Sequence, residues 1–170
     1  MKYEKFREIF KGLDRAYGVY FKGETKENGK LSGKAYIKKE PLFDQYYDAH
    51  LDGKDPGLGI IPIMDDSNCY WGCCDIDKYP LDFKAIIKKL RAKNIPMIVC
   101  RSKSGGAHLF LFAKQSVPAS LMRRKLSEIA ASLGYADCEI FPKQEEIKKD
   151  RGDTGNFLNL PYHGGDESMR

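Results

Sequence analysis

Asp75 and Asp77 close the apolar run Tyr70-Trp71-Gly72-Cys73-Cys74-Asp75-Ile76-Asp77. In a β-strand residues i and i+2 point to the same face, so the two carboxylates project side by side from the end of a buried strand. Like charges that close repel, and a cation between them relieves the repulsion. Hard carboxylate oxygens suit Mg²⁺ or Mn²⁺, above all where a phosphate supplies the remaining ligands. The spacing points to a divalent metal site, against the plainer reading of two solvated acids at a strand end.

A second constellation lies in Arg101-Ser102-Lys103-Ser104-Gly105-Gly106-Ala107-His108-Leu109-Phe110-Leu111-Phe112. An apolar strand runs into a small basic loop, and His108 opens the next apolar strand. Adjacent glycines let backbone N–H groups close on an anion, and Lys103, Ser104 and His108 add donors. The loop reads as a triphosphate cradle; taken alone, Ser-Gly-Gly also describes a hairpin turn. A third acidic position follows in Asp137-Cys138-Glu139-Ile140-Phe141-Pro142-Lys143-Gln144, where either acid could face the first two.

The elements that must position these groups form a regular series from residue 70 on. Residues 70–77 read as a strand. Asp82 can N-cap a helix whose Phe83, Ile86, Ile87 and Leu90 make an apolar stripe. Residues 97–100 and 108–112 are strands around the glycine loop. Pro118 stands at a helix start, Leu121, Met122, Leu126, Ile129 and Leu133 recur behind it, and Gly134 is the stop. Residues 138–141 form the fourth strand. The order β-α-β-β-α-β is that of a ferredoxin-like, RNA-recognition-motif-like core, so the fold class expected is α+β. In that topology strands three and four flank strand one, both antiparallel to it. The end of strand one with Asp75 and Asp77 then meets the starts carrying His108 and Asp137 or Glu139.

Ahead of this core, Tyr3, Phe6, Ile9, Phe10 and Leu13 recur at helical spacing. Residues 17–21 read as a strand, 22–34 as a mobile loop, 35–38 as a strand, 42–51 as a helix and 57–63 as a strand. We read residues 1–170 as one catalytic domain, divided into an N-terminal α/β subdomain (1–66) and the core (67–165).

At 170 residues, with 42% hydrophobic and 31% charged residues, the composition is that of an ordinary globular domain. No stretch approaches the roughly 18 consecutive apolar residues of a membrane span, and a cytoplasmic location is the expectation. A net charge of +5 permits nucleic-acid binding without demanding it. Cys69, Cys73, Cys74, Cys100 and Cys138 are odd in number and lack C-x-x-C spacing, so they read as buried free thiols of a reducing compartment. His50 reads as a structural histidine at a helix end. Tyr20, Tyr36, Tyr46, Tyr47 and Tyr79 read mostly as packing residues, with stacking on template bases as the alternative.

Together these motifs resemble the catalytic core of the archaeo-eukaryotic primase, or primase-polymerase, superfamily. Asp75-Ile76-Asp77 is similar to its first motif, Ser104-Gly105-Gly106-Ala107-His108 to its second, and Glu139-Ile140-Phe141-Pro142-Lys143-Gln144 to the third motif of the branch found in phages, plasmids and CRISPR-associated mobile elements. The stretches 155–162 and 50–63 resemble flanking segments of that branch. The second motif departs from the usual Ser-x-His, since Gly106 precedes Ala107-His108. No zinc-binding module is evident.

The resemblance implies a DNA primase and polymerase catalytic domain performing template-directed nucleotidyl transfer. Asp75, Asp77 and Glu139 would hold two Mg²⁺ or Mn²⁺ ions. Lys103, Ser104, Gly105, Gly106, His108, Gln144 and Asn159 would bind the nucleotide. The implied partners are a single-stranded DNA template, a primer strand, NTP or dNTP substrates and a helicase domain or protein, without a membrane. The chain is expected to be the catalytic piece of a longer protein. Two rival readings are a metal-dependent nuclease, which would have little use for a triphosphate cradle, and a noncatalytic nucleic-acid-binding module, which would carry aromatic side chains where strand one carries acids.

Overall fold

Residues 68–76 form a central strand with both faces covered from Trp71 to Cys74. The computed structural model describes residues 3–25 and 31–165. In chain order its elements are α1 (Glu4–Ile9), β1 (Tyr17–Thr25), β2 (Leu31–Lys38), α2 (Asp44–Leu51), β3 (Gly57–Ile60), β4 (Asn68–Ile76), α3 (Phe83–Ala92), β5 (Met97–Arg101), β6 (Ala107–Pro118), α4 (Ala119–Leu133), β7 (Glu139–Phe141), a 3₁₀ turn (Lys149–Arg151) and β8 (Leu158–Asn159). The strands make two four-stranded antiparallel sheets, ordered β2-β1-β3-β8 and β5-β6-β4-β7. The second sheet, with α3 and α4, has the strand order expected of the ferredoxin-like core, and the fold is α+β.

The helices of that core are bounded as their termini dictate. The Asp82 carboxylate accepts from the Ala85 N–H at 3.0 Å, the usual N-cap geometry. Gly134 ends α4 in the left-handed region at φ 91°, which an L side chain would occupy only under strain. Ile86, Leu90, Met122, Leu126, Ile129 and Leu133 cover one face of the second sheet, against Cys74, Ile76 and Leu109. The other face, with Trp71, Cys73, Phe110 and Phe141, packs against Phe10, Tyr17, Val19, Leu58 and Ile60 from the N-terminal elements. Each such side chain contributes about 1.5–3 kcal/mol by burial, so the two sheets share an apolar layer.

Three sequence expectations shift, and one pairing is added. The helix read through Leu13 ends at Ile9, because the Leu13 N–H bonds the Ile61 carbonyl at 2.9 Å and draws that segment toward β3. The loop expected over 22–34 is largely strand, since β1 and β2 pair from Tyr17↔Lys38 to Thr25↔Leu31; residues 26–30 lie outside the described residues. The strand expected over 57–63 stops at Ile60. The segment after β7 leaves the second sheet, and β8 pairs with β3 of the first. Among the described residues, no helix is long and apolar enough to cross a membrane.

Candidate active site

Register alone brings three of the sequence motifs together. Asp75 lies directly opposite His108 of β6 on one side and Glu139 of β7 on the other. Opposed residues of an antiparallel pair share a face, so all three side chains issue from the face directed toward the first sheet. His108 Nε2 stands 3.4 Å from Asp75 Oδ1, and both side chains are largely buried. Asp75 Oδ1 is nevertheless a buried oxygen without a hydrogen-bond partner. An oxygen in that condition is a strong acceptor awaiting a donor or a cation.

Asp77 lies one residue beyond β4. Its Oδ1 accepts from the Tyr79 hydroxyl at 3.1 Å and the Ser104 hydroxyl at 3.2 Å, and Ser104 exchanges a hydrogen bond with Ser102 at 3.0 Å. The glycine loop is thus folded onto the acid rather than held apart from it. Gly105 adopts φ 93°, and a Cβ on Gly106 would lie 2.3 Å from the Ile76 carbonyl oxygen and 3.0 Å from Asp77 Oδ1. This close approach sets the spacing between the second motif and the first: only an unsubstituted residue lets the loop pass so near the end of β4. Lys103 reaches across to the first sheet, its Nζ 4.0 Å from the Tyr20 ring centre.

Two concavities meet at the Asp75–His108 contact. One is an acidic groove of about 130 Å³ lined by Asp75, Ile76, Asp77, Lys78, Asp137, Cys138 and Glu139. The other is a narrow cleft between the sheets, with about 20 Å³ of free space, in which no carboxylate takes part. Its polar lining is Tyr20, His50, Arg101, Ser102, Lys103, His108, Asn159 and His163. Arg101 and Ser102, which stand in the Arg101-Ser102-Lys103-Ser104 run, join Lys103 in this lining, a placement that the sequence pattern does not reveal. Asn159 reaches the cleft because β8 pairs with β3 at Gly59↔Asn159, and its Oδ1 is buried and unpartnered.

Other candidates are otherwise engaged. Gln144 donates to Asn156 Oδ1 at 2.6 Å and accepts from the Asn156 N–H at 3.1 Å; it follows β7, which runs away from Asp75, and it braces the 152–157 loop. Glu139 is ion-paired with Lys143 at 2.9 Å and Asp137 with Lys78 at 2.9 Å. The Lys78 ammonium holds the Asp137 carboxyl below its ordinary range. Among the described residues, no three acids, histidines or cysteines already stand close enough to enclose a metal. The donor chemistry still fits one, since the groove offers hard oxygens and the orphaned Asp75 Oδ1.

His50 is structural. Its Nδ1 accepts from the Leu58 N–H at 2.9 Å, which leaves Nε2 protonated to donate to the Pro161 carbonyl at 2.9 Å. The ring joins α2, β3 and the segment after β8. The cysteines are free; burial pushes Cys69 up to about 12 and Cys100 up to about 11, keeping both as thiols at neutral pH.

Over residues 2–169 the sequence matches the family model described as "TOTE conflict system, Archaeo-Eukaryotic Primase domain". The chain belongs to that primase family. No curated protein matches it. Membership of this primase family agrees with the core topology and with the mobile-element branch that the motifs resemble, and it makes the domain a member of a primase-like nucleotidyltransferase family. The three motifs of this primase domain therefore lie on one sheet end, around Asp75.

Proposed function

We propose that this primase-family domain joins nucleotides on a single-stranded DNA template, extending a primer strand with NTPs or dNTPs. The observation that carries the reading is the Asp75–His108 contact, at which an acid-lined groove adjoins a cleft without carboxylates. A nucleoside triphosphate needs both environments, since its phosphates seek N–H and O–H donors while its bound cations seek carboxylates.

In this reading Asp75, Asp77 and Glu139 hold Mg²⁺ or Mn²⁺, for which the orphaned Asp75 Oδ1 is the natural first ligand. Two divalent ions bound there would lower the pKa of the attacking primer hydroxyl and neutralise charge on the leaving pyrophosphate. Glu139 would exchange Lys143 for that role, and Ser104 would turn from Asp77 to the phosphates. His108, Lys103, Arg101 and Ser102 donate to the triphosphate, with Gly105 and Gly106 letting the backbone approach it. Entry requires Lys103, an exposed side chain, to leave the buried Tyr20 ring, and a cation–π contact on the order of 0.5–2 kcal/mol is exchanged for a charge-assisted contact to phosphate. Asn159 supplies an acceptor at the cleft's far wall, whereas Gln144 acts through the loop it braces. A cytoplasmic location and a helicase working alongside belong to the same reading.

The test offers labelled primer–template and bare template with Mg²⁺ or Mn²⁺, using NTPs and dNTPs separately. Lengthening of the primer is expected, and its loss in a folded Asp75→Asn/Asp77→Asn double variant. Nucleotide-independent shortening would instead mark a nuclease, and undiminished extension by the double variant would remove the acids from the chemistry.

A further inference from the structure

Helix α3 and the residue after it carry Lys84, Lys88, Lys89, Arg91 and Lys93, and residues 83–93 contain no acid. They hold five of the chain's 29 cations and none of its 24 acids, so the remaining residues balance to zero net charge. All five side chains are exposed. Lys89 is tied to the Leu133 carbonyl at 2.9 Å. Among the described residues, Lys84, Lys88, Arg91 and Lys93 make no ion pair.

Helix stability accounts for only part of this arrangement. Cations in the last turn favour the helix dipole, which explains Lys89 and Arg91. Lys84 lies in the first turn, where a cation has the wrong sign. The i,i+4 pair Lys84/Lys88 and the i,i+3 pair Lys88/Arg91 each set like charges together, at a cost of about 0.2–0.5 kcal/mol. Helix stability thus leaves Lys84 and Lys88 unaccounted for, whereas a polyanion lying along the row would offset the repulsion.

The polyanion is identified by what surrounds the row. The large apolar side chains of α3 are buried, as are Ile86 and Leu90, or half-buried, as are Phe83 and Ile87, so the helix has no exposed large hydrophobic side chain with which to enter a lipid surface. The α3 N-terminus follows Asp77 by only a short link, and in that link the Tyr79 ring is 57% exposed beside the acidic groove, its hydroxyl on Asp77. An exposed ring that a base can stack on, followed by cations spaced over about 10 Å of helix, suits an unpaired strand leaving the groove.

We propose that α3 is the docking surface for the phosphate backbone of single-stranded nucleic acid, with Tyr79 as its stacking step at the groove. This inference rests on the polymerising reading for its direction toward the groove, but not for the binding itself. The surface comprises Lys84, Lys88 and Arg91, and it lies outside the three motifs.

The experiment titrates labelled oligo(dT) with the 170-residue protein at several salt concentrations by fluorescence anisotropy. It compares wild type, K84Q/K88Q/R91Q, and a control, K5Q/K114Q/R124Q, that removes equal charge elsewhere. The expected result is a log–log salt slope shallower by about 2 in the α3 variant, a smaller change in the control, and unaltered binding of a fluorescent ATP analogue in both. Equal losses in the two triple variants, or no change in slope, would overturn the proposal. Stronger dependence on α3 for duplex than for oligo(dT), or α3-dependent binding to anionic vesicles, would also overturn it. If wild type extends no primer while the α3 effect stands, the functional reading fails and the docking surface survives; the opposite outcome removes the docking surface alone.

Discussion

Asp75 is held between His108 and Glu139 by backbone register, so its two neighbours can be varied separately. His108→Ala removes a donor on the cleft side and leaves the groove acids in place. The expected effect is a raised apparent KM for the incoming nucleotide with template affinity little changed. The loss should be on the order of 1.5–3 kcal/mol, the range of a hydrogen bond to a charged group. Steady-state kinetics unchanged from wild type would confine His108 to packing against Phe110. On the groove side, Glu139→Gln should abolish most incorporation and weaken Mn²⁺ binding, whereas Asp137→Asn should retain both. Glu139 stands opposite Asp75, and Asp137 sits farther from it in an ion pair with Lys78. Isothermal titration with Mn²⁺ and primer extension on the two variants check this, and the reverse pattern would transfer the ligand role to Asp137. Much of this arrangement is legible in the sequence, because a fixed strand order converts residue numbers into neighbours. The engagement of Gln144 by Asn156 is not legible, since it depends on a loop whose path no periodicity records.

At the scale of elements, β7 is the weak member of the core. It is three residues long and depends on β4 for its pairing. Arg123 of α4 ties it down, donating to the Pro142 carbonyl at 2.6 Å and the Ile140 carbonyl at 3.4 Å. Arg123→Met keeps an apolar stem over the sheet and removes the charged donors, so stability should fall by about 1.5–3 kcal/mol. The urea midpoint should drop with an unchanged slope. Because Glu139 opens β7, kcat should fall while the nucleotide KM, set in the cleft, changes little. A destabilised variant with wild-type kcat would show that β7 holds Glu139 without the clamp. The core helices and strands are legible because their apolar stripes and stop signals agree with one another. The length of β1 and β2 escapes notice because Lys22, Gly23, Gly33 and Lys34 break the apolar alternation, and a two-residue β8 has no pattern to detect.

At the scale of the whole molecule, the cleft exists only while the two sheets keep their places, and one charge cluster fastens the chain where it passes between them. Asp65 lies between β3 and β4. Its Oδ1 accepts from Arg15 Nε at 2.8 Å, and Lys149 Nζ stands 2.9 Å from its Oδ2. Arg15 also donates to the Asp153 carbonyl at 2.6 Å. The cluster thus joins the segment before β1, the crossing between sheets and the segment that returns to β8. The Arg15 guanidinium, and then Lys149, hold the Asp65 carboxyl below its ordinary value of 3.8. A carboxyl whose pKa is lower folded than unfolded stabilises the fold above the unfolded value, and that contribution disappears as pH falls through the folded value. Asp65 is solvent-accessible, so screening keeps the contribution near that of a surface pair, about 0.2–1 kcal/mol. Asp65→Asn should therefore lower Tm at neutral pH by roughly 1–4 °C, and the wild-type and variant curves should converge below the ordinary pKa of 3.8. Thermal melts of both proteins across that range check the argument. A Tm gap that persists undiminished in acid would mean that the variant disturbs packing at the crossing rather than a charge contact.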